Sequence, residues 1–180
     1  FVGGYPAKTT VNRLDYANDT ATAPARSPLT STGGRYMAAA GNANFGYFAG
    51  GEIAPANVSS VDRIDYSNDT AAPVTKGPLS STTDMDAGTG NPNFGYFGNS
   101  SVTVVDRIDY SNDTATASAR SPLTINLGDK CAFSARENDL TLIGPALVTN
   151  TPEPFFPITS FGYFGGGLPA QSRIDRINFN

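Results

Sequence analysis

The chain has 180 residues, a formal net charge of −4 and only 16% charged residues, but 19 glycines and 13 prolines. So many glycines and prolines exclude a mainly helical protein, and they are too few for a collagen-like or wholly disordered one. The scattered basic residues give no electrostatic footprint for nucleic acid, and no apolar run approaches the roughly 18 residues that cross a bilayer. Composition therefore predicts a turn-rich all-β protein with neither a nucleic-acid partner nor a membrane partner.

Four short strands are predicted within one stretch of the chain. A strand of small residues over 35–40 precedes the apolar run 45–48, which has the pattern of a strand buried on both faces. Gly50 and Gly51 end that run, because glycine permits positive φ. An alternating strand over 58–66 follows, then a turn, and a weak strand rich in Thr, Ala and Val closes the unit.

This unit is repeated along the chain. The ten residues 61–70 recur letter for letter at 105–114, a close relative occupies 11–20, and a further copy begins at Asp175. The motif Phe-Gly-Tyr-Phe and a Pro-Leu pair recur in the same order, with a spacing of 44 to 50 residues. We therefore interpret 1–180 as one domain of repeats over about 1–47, 48–96, 97–160 and 161–180.

The order of an apolar strand, a double glycine, a variable loop and a strand ending in Asp-Tyr resembles the kelch repeat. The double glycines are Gly3-Gly4, Gly50-Gly51 and Gly165-Gly166, although Gly98-Asn99 replaces one of them and tryptophan is absent. The resemblance implies kelch-like β-propeller blades of about 45–50 residues with four short antiparallel strands each. Nearly the whole chain also resembles repeat-containing structural proteins of marine bacteriophages, especially cyanophages.

The regular spacing breaks after Pro122. Residues 135–144 could be a degenerate copy of 40–49, with an inserted loop over 148–158, or two stretches could be joined across missing residues. Both chain ends fall inside a unit, so the propeller is expected to be incomplete. We therefore expect either a longer native chain or neighbouring subunits that cover the open sheet edges.

The repeated polar residues are predicted to be structural. Arg63 and Arg107 should bind carboxylates of the same or a neighbouring blade, which would lower the pKa of the repeated aspartates. An EF-hand-like calcium loop would need a central glycine and a distal glutamate, and the repeated segment has neither, so no metal site is predicted. The predicted turn and ion-pair residues are Arg63, Asp65, Asn68, Arg107, Asp109 and Asn112.

The aromatic residues of the Phe-Gly-Tyr-Phe motif are expected to fill the core between blades, and Cys131 is expected to be a small buried residue. The loops after the double glycines vary between repeats while the framework does not, which is typical of contact loops on a fixed scaffold. The candidate contact residues are Tyr5, Lys8, Glu52, Asn57 and Gln171.

The chain has no histidine, which removes the commonest general base and every Ser-His or Cys-His pair. We therefore predict a non-catalytic structural or adhesive module without a cofactor, most concretely a phage tail-fibre, tail-tip or decoration protein on the virion surface. Its partners would be other virion or filament subunits and a glycan or protein receptor on the host. The alternatives are an extracellular filament or adhesion subunit and a glycan-active enzyme built on a propeller.

Overall fold

The computed structural model describes residues 1–4, 6–30, 34–120, 122–126, 128–134, 161–166 and 174–178. These residues form short strands and two single-turn 3₁₀ helices, and they contain no α-helix, which confirms the all-β prediction. The strands are β1 (Val11–Asn12), β2 (Ala25–Arg26), β3 (Ala38–Gly41), β4 (Phe45–Ala49), β5 (Glu52–Ile53), β6 (Ala56–Asn57), β7 (Val61–Asp65), β8 (Val74–Lys76), β9 (Met85–Gly90), β10 (Phe94–Asn99), β11 (Val105–Asp109), β12 (Ser118–Arg120), β13 (Cys131–Ser134), β14 (Phe161–Gly165) and β15 (Ile174–Asn178).

Two four-stranded antiparallel sheets occupy the middle of the chain. Their strand orders are β3-β4-β7-β8 and β9-β10-β11-β12, so each is a meander of neighbours in sequence apart from the β5–β6 hairpin inserted in the first. A two-stranded sheet, β1-β2, precedes them, and a three-stranded sheet, β13-β14-β15, follows. We call these four assemblies units 1 to 4 in chain order. The predicted order of four strands per unit is confirmed in units 2 and 3, where each sheet spans parts of two of the sequence repeats.

The recurring aromatic motif places its residues on opposite faces of the sheet. Tyr47 packs in one cluster with Phe97 of the next unit, whereas Phe48 packs against the cluster shared with unit 1. Because side chains alternate along a strand, each sheet has an apolar side chain for both of its neighbours. The sheets therefore stack as layers, and none is closed into a barrel on itself.

Among the described residues, three apolar clusters lie between successive units, one at each junction. Each cluster contains the leucine of a Pro-Leu pair, namely Leu29, Leu79 or Leu123, and all three side chains are at most 5% exposed. Burying one leucine side chain contributes about 1.5–3 kcal/mol. The connector between two units is thus part of the core between them.

The first strands of the units also lie next to one another, with β9 in contact with both β3 and β13. β9 comes close to β3 at Gly88, where a Cβ atom would lie 2.1 Å from the carbonyl oxygen of Ala39. A glycine at this point of β9 lets two backbones meet.

Two expectations about burial need correction. Tyr47 and Tyr96 are buried as predicted, but Phe45 and Phe94, the first residues of β4 and β10, are only partly buried. Each of the two rings lies beneath an arginine, 4.2 Å from guanidinium carbon to ring centroid. Tyr163 is also partly buried, and the side chain of Phe161 lies outside the described residues. Cys131 is exposed, because it lies on the edge strand β13.

The break in the repeat spacing has a definite place in the topology. β13 pairs with β14 as β3 pairs with β4, so residues 135–160 connect the first and second strands of unit 4. In units 2 and 3 that connection consists of 42–44 and 91–93. The predicted degenerate copy at 135–144 and the loop at 148–158 lie outside the described residues.

Candidate functional site: carboxylate joints between units

The most developed polar site joins units 2 and 3 around Asp113. Tyr47 lies opposite Arg63 across β4 and β7, and Val61 lies opposite Lys76 across β7 and β8. Residues that pair directly, or that are two apart on one strand, share a face. The sheet of unit 2 therefore presents a tyrosine, an arginine and a lysine to the turn that follows β11.

All three of these side chains bind the Asp113 carboxylate. The Tyr47 hydroxyl donates to Oδ2 at 2.9 Å, Arg63 donates to the same oxygen at 2.7 Å, and the Lys76 Nζ lies 3.1 Å from Oδ1. The Asp113 carbonyl in turn accepts the amide of Gly77 at 2.8 Å. Asp113 is thus held both by its side chain and by its backbone.

The surroundings of Asp113 keep it ionised. Burial favours the neutral carboxyl, but the hydrogen bonds from Tyr47 and Lys76 and the two cationic charges outweigh burial, so the pKa of Asp113 is lowered. Burial and the adjacent carboxylate raise the pKa of Tyr47, so its hydroxyl keeps the proton it donates. Such a permanently charged, fully bonded carboxylate is suited to holding two units together.

The same joint occurs between units 1 and 2. Arg13 and Arg26 both bind Oδ2 of Asp69 at 2.9 Å, and these three residues correspond in the repeat to Arg63, Lys76 and Asp113. Arginine replaces lysine, yet the carboxylate still lies between two cations. The aspartate of the Asp-Thr pair in the repeated segment therefore makes a recurring inter-unit contact.

A second set of aspartates fixes the connectors that carry the Pro-Leu pairs. Asp62 accepts the amide of Thr30 at 2.7 Å and its hydroxyl at 3.1 Å, and Asp175 accepts the same two groups of Thr124 at 3.2 and 2.8 Å. Asp106 accepts the amide of Ser80 at 3.0 Å. The first aspartate of each copy thus anchors the chain where it enters the unit.

The second aspartate of each copy caps a turn. Asp65 accepts the amide and the hydroxyl of Ser67 at 2.9 and 2.7 Å, and Asp109 binds Ser111 in the same way. These hydrogen bonds are the main reason why the pKa values of both aspartates are lowered, ahead of the neighbouring arginine that the sequence suggested. Asn68 and Asn112 end the single-turn helices that follow, in agreement with their predicted place in a turn.

The predicted partner of Arg63 is confirmed as a carboxylate of the neighbouring unit, whereas Arg107 forms no ion pair with a described residue. The Arg107 guanidinium lies over the Phe94 ring and bonds to the hydroxyl of Tyr96. Asp69 and Asp113 were not predicted from the sequence as partners of these cations. The signal in the sequence was that each such aspartate recurs one repeat after the two cationic residues that it binds, and this regular spacing could have identified the contact.

The candidate contact residues lie at the loops that follow the double glycines. Lys8 and Asn57 are exposed, while Tyr5 and Gln171 lie outside the described residues. Glu52 accepts two hydrogen bonds from Arg35, at 3.0 and 2.6 Å, so its carboxylate is already bound. Glu52–Ile53 and Ala56–Asn57 form a hairpin that exposes Ile53, and Gly50 and Gly51 precede it at φ 68° and 91°.

A cavity of about 500 Å³ lies beside the first strands of the units and has charges of both signs in its wall. Lys130 is the most buried of these charges. Its Nζ lies 3.1 Å from Oδ2 of Asp86 and 2.8 Å from the carbonyl of Asn99. Because Lys130 is fully bonded, it acts as a further tie between units 3 and 4.

Among the described residues, no three His, Cys, Asp or Glu side chains are grouped as a metal site would need. No helix in the described ranges is long and apolar enough to cross a membrane. No family model matches this chain, and no curated protein matches it significantly.

Proposed function

We propose that the units are blades of a kelch-like β-propeller and that the chain is a non-catalytic structural or adhesive module. Four-stranded meanders of neighbouring strands, joined from the last strand of one to the first strand of the next, are the connectivity of propeller blades. The adjacent first strands β3, β9 and β13 would then line the axis.

The observation that supports a non-catalytic role is the use of the recurring carboxylates. Asp69 and Asp113 bind cations of the preceding unit, and Asp62 and Asp175 bind a connector. A general acid or base needs a pKa near the working pH, whereas the pKa of Asp113 is lowered by its partners. Most of the chemistry-bearing side chains are therefore accounted for by joining units.

As the most concrete setting, we propose the surface of a phage virion, with the chain as part of a tail fibre, tail tip or decoration protein. The stacked units would hold the loops rigidly, and the exposed hairpin of unit 2 would contact a receptor on the host. Ile53, which is 51% exposed and lies next to the turn, would supply an apolar contact, and the exposed Asn57 at the open end of the hairpin would supply a polar one.

The hairpin tests this proposal. Ile53→Ser combined with Asn57→Ala, which leaves the Arg35–Glu52 pair in place, should reduce binding to host cells or to a glycan array at least tenfold. The matched control is Val74→Ser, an equally exposed apolar residue on the outer strand β8. Both variants should change the free energy of unfolding by no more than about 0.5 kcal/mol.

A screen for polysaccharide hydrolysis belongs beside the binding assay. Turnover that disappears in Asp65→Asn or Asp109→Asn, with the fold intact, would support the propeller enzyme instead. Binding that is lost equally in Val74→Ser would show that the hairpin is not the contact surface.

A filament or adhesion subunit is the second candidate, because Arg107 and Arg120 of unit 3, which correspond in the repeat to Arg63 and Lys76, form no ion pair with a described residue. In a filament, a unit of another chain would complete that site.

A further inference from the structure

A second cavity of about 500 Å³ lies between units 3 and 4 and is rich in cationic groups. Its wall includes Tyr96 from β10, Arg107 from β11, Arg120 from β12 and Arg176 from β15. Burial raises the pKa of Tyr96, and the hydrogen bond and charge of Arg107, together with the charge of Arg120, offset part of that rise. The cavity is thus a pocket of positive potential with a hydroxyl group in its wall.

This cavity has the same wall as the joint that holds Asp113. Tyr96, Arg107 and Arg120 occupy the positions in unit 3 that Tyr47, Arg63 and Lys76 occupy in unit 2. Tyr96 lies opposite Arg107, and Val105 lies opposite Arg120, as in the earlier sheet. The two sites differ in what fills them.

No carboxylate of the described residues fills the cavity. Neither Arg107 nor Arg120 forms an ion pair with another described residue, and within the same part of the chain the buried Nε of Arg107 has no hydrogen-bond partner. Asp175 also lies in the wall, but its carboxylate is bound to Thr124.

We propose that the cavity of Tyr96, Arg107 and Arg120 is a binding site for the aspartate of an Asn-Asp-Thr turn. The carboxylate would lie between the two guanidinium groups and accept the hydroxyl hydrogen of Tyr96, as the Asp113 carboxylate does at Tyr47, Arg63 and Lys76. The partner is therefore a repeat unit of the same kind as units 1 to 3, and the site does not depend on the proposed host receptor.

The test uses the 180-residue chain and a fluorescently labelled peptide with the sequence of residues 108–115. The matched control peptide has asparagine in place of the aspartate that corresponds to Asp113 and keeps the other aspartate. By fluorescence anisotropy, the first peptide should bind with a dissociation constant on the order of 1 mM or tighter. The control peptide should bind at least tenfold more weakly.

Two variants identify the site on the protein. Arg120→Ala removes an exposed side chain of the outer strand β12 and should weaken peptide binding at least tenfold. Lys76→Ala removes the corresponding cation at the filled joint and should leave peptide binding unchanged. Equal binding of both peptides, no binding at all, or unchanged binding to Arg120→Ala would each overturn the proposal.

Sedimentation velocity distinguishes the two sources of such a turn. Self-association that Arg120→Ala abolishes would show that a second copy of the chain supplies it. A monomer that binds the peptide would show that another repeat-bearing segment supplies it.

Discussion

Arg63 and Arg107 occupy the same position in successive sheets and differ in one contact. Each guanidinium carbon lies 4.2 Å from the centroid of a phenylalanine ring, and each arginine pairs across the sheet with a buried tyrosine. Only Arg63 binds a carboxylate among the described residues, that of Asp113 at 2.7 Å. Comparing alanine variants of the two arginines therefore separates the stability contributed by the ion pair from the stability contributed by stacking on phenylalanine.

Arg63→Ala is expected to lower the free energy of unfolding by about 1–3 kcal/mol more than Arg107→Ala, because it leaves a buried carboxylate with fewer hydrogen bonds. Urea unfolding at pH 7 measures this difference. The pKa of Asp113 is lowered from its ordinary value in the folded state, so the stabilisation is present above the ordinary pKa and is lost as pH falls through the folded pKa. The gap between the two variants should therefore shrink below about pH 4, and a gap that persists would contradict this account.

At this scale the sequence indicated the type of contact but not the partner. The repeat predicted a carboxylate beside Arg63, and one is found. Its identity depends on how unit 3 lies on unit 2, and a repeat spacing alone does not determine that packing. The sequence also suggested Asp65 as an arginine partner. In the structure the Asp65 carboxylate instead accepts hydrogen bonds from the amide and the hydroxyl of Ser67.

Among the elements, the strand with the motif Phe-Gly-Tyr-Phe shows why its glycine recurs. A Cβ atom at Gly46 would lie 2.8 Å from the hydroxyl oxygen of Tyr66, and one at Gly95 would lie 2.7 Å from that of Tyr110. Tyr110 is stacked on Tyr47 with centroids 4.6 Å apart, whereas Tyr66 is 51% exposed. The same steric conflict therefore involves a ring stacked on a neighbouring unit in one case and a half-exposed ring in the other.

Gly95→Ala should lower the free energy of unfolding by about 1–3 kcal/mol, since Tyr110 can move away only by giving up its contact with Tyr47. Gly46→Ala should cost clearly less, because Tyr66 can turn towards solvent. Chemical denaturation of the two variants compares them directly. Equal losses of unfolding free energy in the two variants would show that the glycine is needed for the conformation of the strand and not for the contact with the facing ring.

The strands themselves were well predicted, because their signals are local. Alternation over 58–66 and the apolar run 45–48 correspond to β7 and β4, and the weak strand before the Pro-Leu pair corresponds to β8. The hairpin of β5 and β6 was interpreted only as a variable loop, since its two-residue strands are too short to show alternation. That 135–160 lies between two paired strands follows only from the pairing of β13 with β14. This pairing joins residues that are far apart in the sequence, so no local pattern could predict it.

Over the whole molecule, each unit makes its apolar contacts with its immediate neighbours. The cluster around Leu29 includes residues of units 1 and 2, and the cluster around Leu123 includes residues of units 3 and 4. These two clusters share no residue. The repeats predicted this layered arrangement only in outline, because the sequence shows that neighbours must cover each sheet but not which face meets which.

Stability in such an arrangement is expected to be a sum of local terms, one for each unit and each junction. Leu29→Ala creates a cavity between units 1 and 2, which costs about 2–5 kcal/mol at that junction. It should therefore speed amide hydrogen exchange in β1 to β4 and β7 while leaving β11 and β12 protected. Leu123→Ala should do the reverse, with faster exchange in β10 to β12 and β14 and unchanged exchange in β3 and β7.

Mass-spectrometric exchange resolves these strands, because each lies in a different stretch of sequence. The two variants serve as controls for each other, since both remove the same side chain from the same place in the repeat. If both raised exchange uniformly along the chain, the units would open only together, and the ion pairs at the joints would have to couple them more strongly than their apolar clusters do.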